Sequence, residues 1–195
     1  MGFTYLNRRR KTYFLQRSSS RTGKETYSFT MKPPKNPVDS VPEGFEIFED
    51  PQTAQVFLRR PKPTEILPEE LALAKQVVQQ EERLRLAQVL IEKNAIVIYT
   101  SDLAPSGVDK ILDELLPAGS TRRASLGEFF LQTARLSPMM RFVLVDGPTR
   151  TFQTERWCFR GSVDGWLPLF THAALKDLLE EFVPSLGTEA FFELF

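Results

Sequence analysis

The sequence predicts an α+β protein with a small antiparallel N-terminal sheet, a long linking helix and a mixed α/β C-terminal layer. Three observations predict it. Apolar residues alternate with a period of two in short N-terminal segments, they recur at helical spacing from Pro68 onward, and the two patterns mix in the remainder of the chain. The corresponding divisions are 1–63, a basic β-rich region, 64–94, a linking amphipathic helix, and 95–195, an α/β region. The same elements could also form one continuous domain.

Tyr13 to Arg17 and Glu25 to Met31 flank Ser18-Ser19-Ser20-Arg21-Thr22-Gly23-Lys24, the pattern of a long-looped hairpin. Tyr27 and Phe29 share one face of the second segment and Thr26, Ser28 and Thr30 the other, as a half-buried strand requires. Pro33, Pro34 and Pro37 fix φ and remove backbone donors, which predicts an extended connector. A second hairpin runs along Phe45 to Glu49, turns through Asp50-Pro51-Gln52-Thr53 and returns along Gln55 to Arg59. Asp and Pro there occupy the first and second turn positions. These four short strands are expected to make one small sheet.

Pro61 and Pro63 close that region. Pro68 opens a helix with Glu69 and Glu70 in its first turn, where carboxylates meet the positive end of the helix dipole. Leu73, Val77, Leu84, Ala87 and Ile91 fall on one stripe, so the helix is predicted to run over about 68–93. Ala95 to Thr100 is a β-branched run suited to a buried strand. Ser106 to Asp109 and Ser125 to Glu128 have capping-box spacing, predicting helices through Leu116 and to about Arg135. Met140 to Val145 and Thr151 to Phe159 pair around a turn at Asp146 to Arg150. Trp157 and Phe159 are expected to face the core, with Arg156, Cys158 and Arg160 on the other face. Gly161 and Gly165 would flank a turn. Thr171 is placed to cap a helix through Val183 that buries Leu175, Leu178, Leu179 and Phe182. Phe191, Phe192, Leu194 and Phe195 are expected to dock on the core, because together they would make a costly exposed patch.

Several chemistries are set aside by residue type. Cys158 and His172 are the only Cys and His, too few for a Cys/His zinc site. No glycine-rich phosphate loop is present, and Ser162 stands second rather than central between Gly161 and Gly165, so no nucleophile elbow is implied. Nothing points to a cofactor. No apolar run approaches the roughly 20 residues of a membrane-spanning helix, and Arg9-Arg10 is not followed by the apolar stretch of an export signal. One cysteine cannot form an internal disulfide, which suits a reducing cytosol. Arg122-Arg123-Ala124-Ser125 matches a generic basophilic kinase site, although a capping role for Ser125 would explain it equally.

The balance of 25 basic and 25 acidic residues conceals a division. The first 38 residues hold nine basic groups and one acid, Glu25, a net of +8. The other 157 hold sixteen basic and twenty-four acidic groups, a net of −8. Arg8, Arg9, Arg10, Lys11, Arg17, Arg21 and Lys24 are the candidate contacts for nucleic acid or another polyanion. They interleave with Phe3, Tyr5, Tyr13, Phe14, Tyr27 and Phe29, and cations on phosphates with rings on bases suit a single strand. The same rings must also build the core of the sheet, and they cannot all do both. The function expected is therefore non-catalytic binding in the cytosol through this basic face. The alternatives are an acidic protein partner, a solvated or self-docking basic hairpin, and a scaffold module using the acidic body and Phe-rich end. A metal-dependent hydrolase built on Asp146, Glu155 and Asp164 is a further alternative, although no Lys accompanies Glu155 as is usual in such sites.

Overall fold

The alternating N-terminal segments form two small antiparallel sheets in the computed structural model. It describes residues 2–19, 23, 25–101, 112, 114, 121–160 and 163–194. The chain divides into two compact units, Met1–Lys62 and Pro63–Phe195.

In the first unit, β1 (Thr4–Leu6), β2 (Thr12–Ser19) and β3 (Glu25–Thr30) make a three-stranded meander with β2 central. Phe14 lies opposite Thr30 and Ser19 opposite Glu25, so the long-looped hairpin forms as predicted. β4 (Glu46–Glu49) and β5 (Val56–Arg59) form a separate two-stranded sheet rather than completing a single one. Asp50 closes their turn: its Oδ1 accepts hydrogen bonds from the backbone N–H of Gln52 and Thr53. The proline connector returns to β2, where Pro37 bridges Gln16. The hydrogen bonds run from Val38 N to Leu15 O and from Arg17 N to Asn36 O, so the missing proline donor is never called upon. Tyr13, Leu15, Ala54 and Val56 are buried. Phe29 is ringed by Phe3, Tyr5 and Tyr13 with centroids 6.4–6.5 Å away.

The second unit opens with α1 (Pro68–Gln80), which buries Ala74 and Val78. The helix predicted over 68–93 does not form beyond Gln80. The chain leaves α1 at Gln80, makes a short 3-10 turn at Glu82–Leu84 and re-enters as β6 (Gln88–Glu92), paired with β7 (Ala95–Ser101). Val89 faces Ile98 and Ile91 faces Ile96 across the ladder. The β-branched run of β7 offers β6 a partner strand, and the burial gained there outweighs the local helical spacing. The turn between them holds Lys93 at a φ of 55°.

α2 (Thr121–Thr133) begins before Ser125, so Ser125 to Glu128 lies inside the helix and is not a capping box. Leu112 and Glu114 are helical, and the rest of the helix expected from Ser106 lies outside the described residues. β8 (Leu136–Asp146), β9 (Thr151–Arg160) and β10 (Val163–Ala174) complete a wholly antiparallel sheet in the order β10-β9-β8-β7-β6. β10 replaces the expected turn at Gly165 and the expected helix start at Thr171. It extends the sheet by setting Trp166 opposite Trp157. α3 (Leu175–Phe182) therefore starts after Ala174, and it buries Leu175, Leu178, Leu179 and Phe182 as its spacing predicts.

One face of this sheet carries the main core. Ile96 and Ile98 of β7, Met140, Phe142 and Leu144 of β8 and Phe152 of β9 pack with Ala74 and Val78 of α1 and the buried side of α3. Each large side chain so buried contributes roughly 1.5–3 kcal/mol. Ala95, Val97, Tyr99 and Leu136 form a smaller cluster that includes Val143 and Trp166. Arg150 fastens the β8–β9 turn to α1: its Nε donates to Glu70 Oε1 at 2.9 Å and its Nη2 to Glu65 O at 3.1 Å. Glu70 also accepts the Leu67 N–H at the helix start, which completes the cap. No helix among the described residues is long and apolar enough to cross a membrane. The class is mixed α+β.

Candidate polyanion interface

The Asn7–Lys11 turn joins β1 to β2 and presents basic side chains. Asn7 is buried, its Nδ2 donating to Ala54 O at 2.6 Å and its Oδ1 accepting the Lys11 N–H at 2.8 Å. Asn suits this position because its short side chain bonds neighbouring backbone groups. Arg10 takes a φ of 54°, and Arg10 and Lys11 are both exposed at the tip.

Arg8 turns the other way. Its Nη2 donates to Pro51 O at 2.7 Å, its backbone N–H to Glu49 Oε1 at 3.1 Å, and its Nε lies 3.6 Å from the same carboxylate. The Tyr5 hydroxyl donates to Glu49 Oε2 at 3.2 Å. Burial lowers the pKa of the Arg8 guanidinium and neighbouring Arg9 lowers it further, against the opposing pull of Glu49. Burial, then the Glu49 charge, raises that of Tyr5. Arg9 is half-buried. Arg17 is exposed near the far end of β2 and pairs with exposed Glu25 at 3.0 Å, at a shallow recess of about 240 Å³ that Ser18, Ser19 and Asn36 also line. Arg21 and Lys24 lie outside the described residues.

The pairing of acids decides the surface of this unit. Glu46 bonds Arg59 at 2.8 Å, Glu49 holds Arg8, and Asp50 is committed to its turn. All three acids are half-buried. Among the described residues of the unit, Arg10, Lys11, Arg17, Lys32, Lys35, Arg60 and Lys62 are exposed, against the acids Glu25, Asp39 and Glu43. Arg60 and Lys62 are missing from the sequence-derived set. Their signal was the run Arg59-Arg60-Pro61-Lys62 just beyond a strand.

In the second unit, Asp146, Glu155 and Asp164 do not converge. Asp146 accepts the Thr149 hydroxyl at 2.7 Å within its turn. Glu155 accepts Arg141 Nε at 2.7 Å, and the guanidinium lies 4.5 Å from the Trp166 ring centroid. Glu155 pairs with Arg141 and Thr151 with Asp146, so the two carboxylates are separated by four positions along β9, roughly 13 Å. Asp164 is exposed opposite Phe159. No group of three or more His, Cys, Asp or Glu among the described residues could hold a metal ion. Cys158 faces Gly165 and His172 faces Gln153, well apart along β9.

The faces of β9 are the reverse of the expected ones. Arg156 and Cys158 are buried, whereas Trp157 is half-buried and Phe159 exposed. Burial of Arg156 is made tolerable by the Leu194 carbonyl, which accepts its Nε at 2.7 Å, and by the Phe191 ring 5.9 Å away. Comparison of the sequence with protein-family models and curated proteins, and of the fold with solved structures, found no match.

Proposed function

We propose that the chain is a binding protein whose basic N-terminal unit contacts a nucleic acid or another polyanion. The observation that carries this is the asymmetry of exposure: half-buried acids are consumed by partners within the unit while basic side chains crowd its surface. Such a surface has a positive field that attracts and steers polyanions. The contact set drawn from this geometry is Arg10, Lys11, Arg17, Lys32, Lys35, Arg60 and Lys62, with Arg8 assigned to the scaffold. The single, buried Cys158 supports a cytosolic setting.

The test is binding to a phosphate polymer at increasing salt. Affinity should fall log-linearly, by about 0.7–0.9 per neutralised phosphate. Changing Arg10 and Lys11 together to Ala should flatten the slope by about 1.4–1.8 while the chain stays folded. Absence of binding at low salt overturns the reading.

A protein-interaction role is favoured by Phe170, which sits at a register shift in the edge strand β10, is 79% exposed and has a φ of 55°. Strain and exposure together at one aromatic residue suit a presented contact. Self-association in sedimentation, abolished by Phe170→Ser, would support it. The hydrolase alternative has no comparable support, because the register holds its carboxylates apart.

A further inference from the structure

Building on that reading, we infer that the ligand of the N-terminal unit is a nucleic-acid duplex, held through its phosphates with no base stacked on the protein. Single-strand binders use open aromatic faces, each worth about 1–3 kcal/mol per base. Most rings of this unit are already engaged, and Phe14, outside those contacts, is half-buried. Phe29 is enclosed by Phe3, Tyr5 and Tyr13, and Tyr27 packs edge-on to Phe45 at 6.1 Å. The Arg59 guanidinium covers Phe48 at 3.7 Å, and Arg60 lies 5.7 Å from the Phe45 centroid. Phe57, at 41%, is the one exposed aromatic among the described residues of the unit.

With stacking removed, phosphate neutralisation remains, and it favours the polymer of higher charge density. A duplex carries one charge per about 1.7 Å of axis, roughly twice the density of one of its strands. Lys11, just before β2, and Arg17, near its far end, are both exposed and stand six positions apart, about 20 Å. Tyr13 and Leu15, on the same side of the strand by its two-residue alternation, are buried between them, so the two cations are separate phosphate contacts and not one continuous track. All regular elements described in the unit are short strands, and none is a helix that could enter a major groove. With phosphates as the contacts, binding is expected to be independent of sequence.

The experiment measures the full-length chain at low salt against a 20-base-pair duplex (a length of about two helical turns), each of its separated strands, and inorganic polyphosphate. The expected result is about tenfold tighter binding to the duplex than to either strand, unchanged when the base sequence is scrambled. The salt slope should lie near −0.9 per phosphate, and Lys11→Ala with Arg17→Ala should reduce it by about 1.8. Strands that bind as tightly as the duplex, with affinity lost in Phe57→Ala, would overturn the inference in favour of stacking. Binding to polyphosphate alone would overturn the duplex while leaving the polyanion reading intact. Binding to none of the three would overturn both.

Discussion

Glu49 gathers the Arg8 backbone N–H, the Arg8 guanidinium and the Tyr5 hydroxyl at one half-buried carboxylate. Replacing Arg8 by Ala takes the guanidinium from that half-buried carboxylate, which keeps the backbone N–H and the Tyr5 hydroxyl, and losing the charge-assisted partner costs about 1.5–3 kcal/mol. The urea midpoint of Arg8→Ala should fall accordingly, while Lys11→Ala, on an exposed tip, should stay within about 0.5 kcal/mol of the parent. Tyr5 supplies a pH test. Its folded pKa is raised, first by burial and then by Glu49, so the folded chain keeps a proton that the unfolded chain loses near pH 10. The corresponding stability is fully present below about pH 10 and is lost as pH rises through the folded value. In Tyr5→Phe that part of the alkaline decline in melting temperature should disappear. At this scale the sequence offers several similar cations and cannot rank them. Arg8 becomes structural and Arg10 exposed only because Asn7 anchors the turn on Ala54, 47 residues away.

The C-terminal 3-10 turn, Glu189–Glu193, docks as its composition predicts, though not with every ring. Phe191 is buried at 1% exposure and Phe192 is exposed. Truncation after Gly187 removes Phe191 from the main core and the Leu194 carbonyl from buried Arg156. The expected loss is several kcal/mol, summing roughly 1.5–3 for the ring and about 1.5–3 for the lost charge-assisted hydrogen bond. Equal denaturation midpoints for the truncated and full chains would refute the docking. Elsewhere an element carries strain: Phe170 in β10 holds a left-handed φ while its ring is largely in water. Phe170→Gly should raise the urea midpoint, by about 1 kcal/mol, since the backbone is relieved and little packing is lost. At the level of elements the sequence showed the hairpins and the buried stripe of α3, where polarity alternates or repeats cleanly. It misread 81–93 as helix because Leu84, Ala87 and Ile91 continue a helical spacing and no Gly or Pro interrupts them. It missed β10 because Thr171 and the leucines after it imitate a capped helix.

At the scale of the molecule, the division at Lys62 separates charge as well as structure. Residues 1–62 carry twelve basic and six acidic groups, a net of +6, and residues 63–195 thirteen and nineteen, a net of −6. Both clusters of buried residues in the second unit draw only on positions beyond Pro63. Residues 63–195 expressed alone should therefore unfold in a single cooperative thermal transition, and a broad, non-cooperative melt would contradict an independent core. Composition and period alone gave away the α+β class, the two N-terminal hairpins and the concentration of positive charge in the first 38 residues, because they are local properties that need no partner. The tertiary structure alone decided where α1 ends, which face of β9 is buried, which cations reach the surface, and that Asp146 and Glu155 stand apart. Each of those depends on strand register and on contacts between residues distant in the chain, where a shift of one position inverts every side chain.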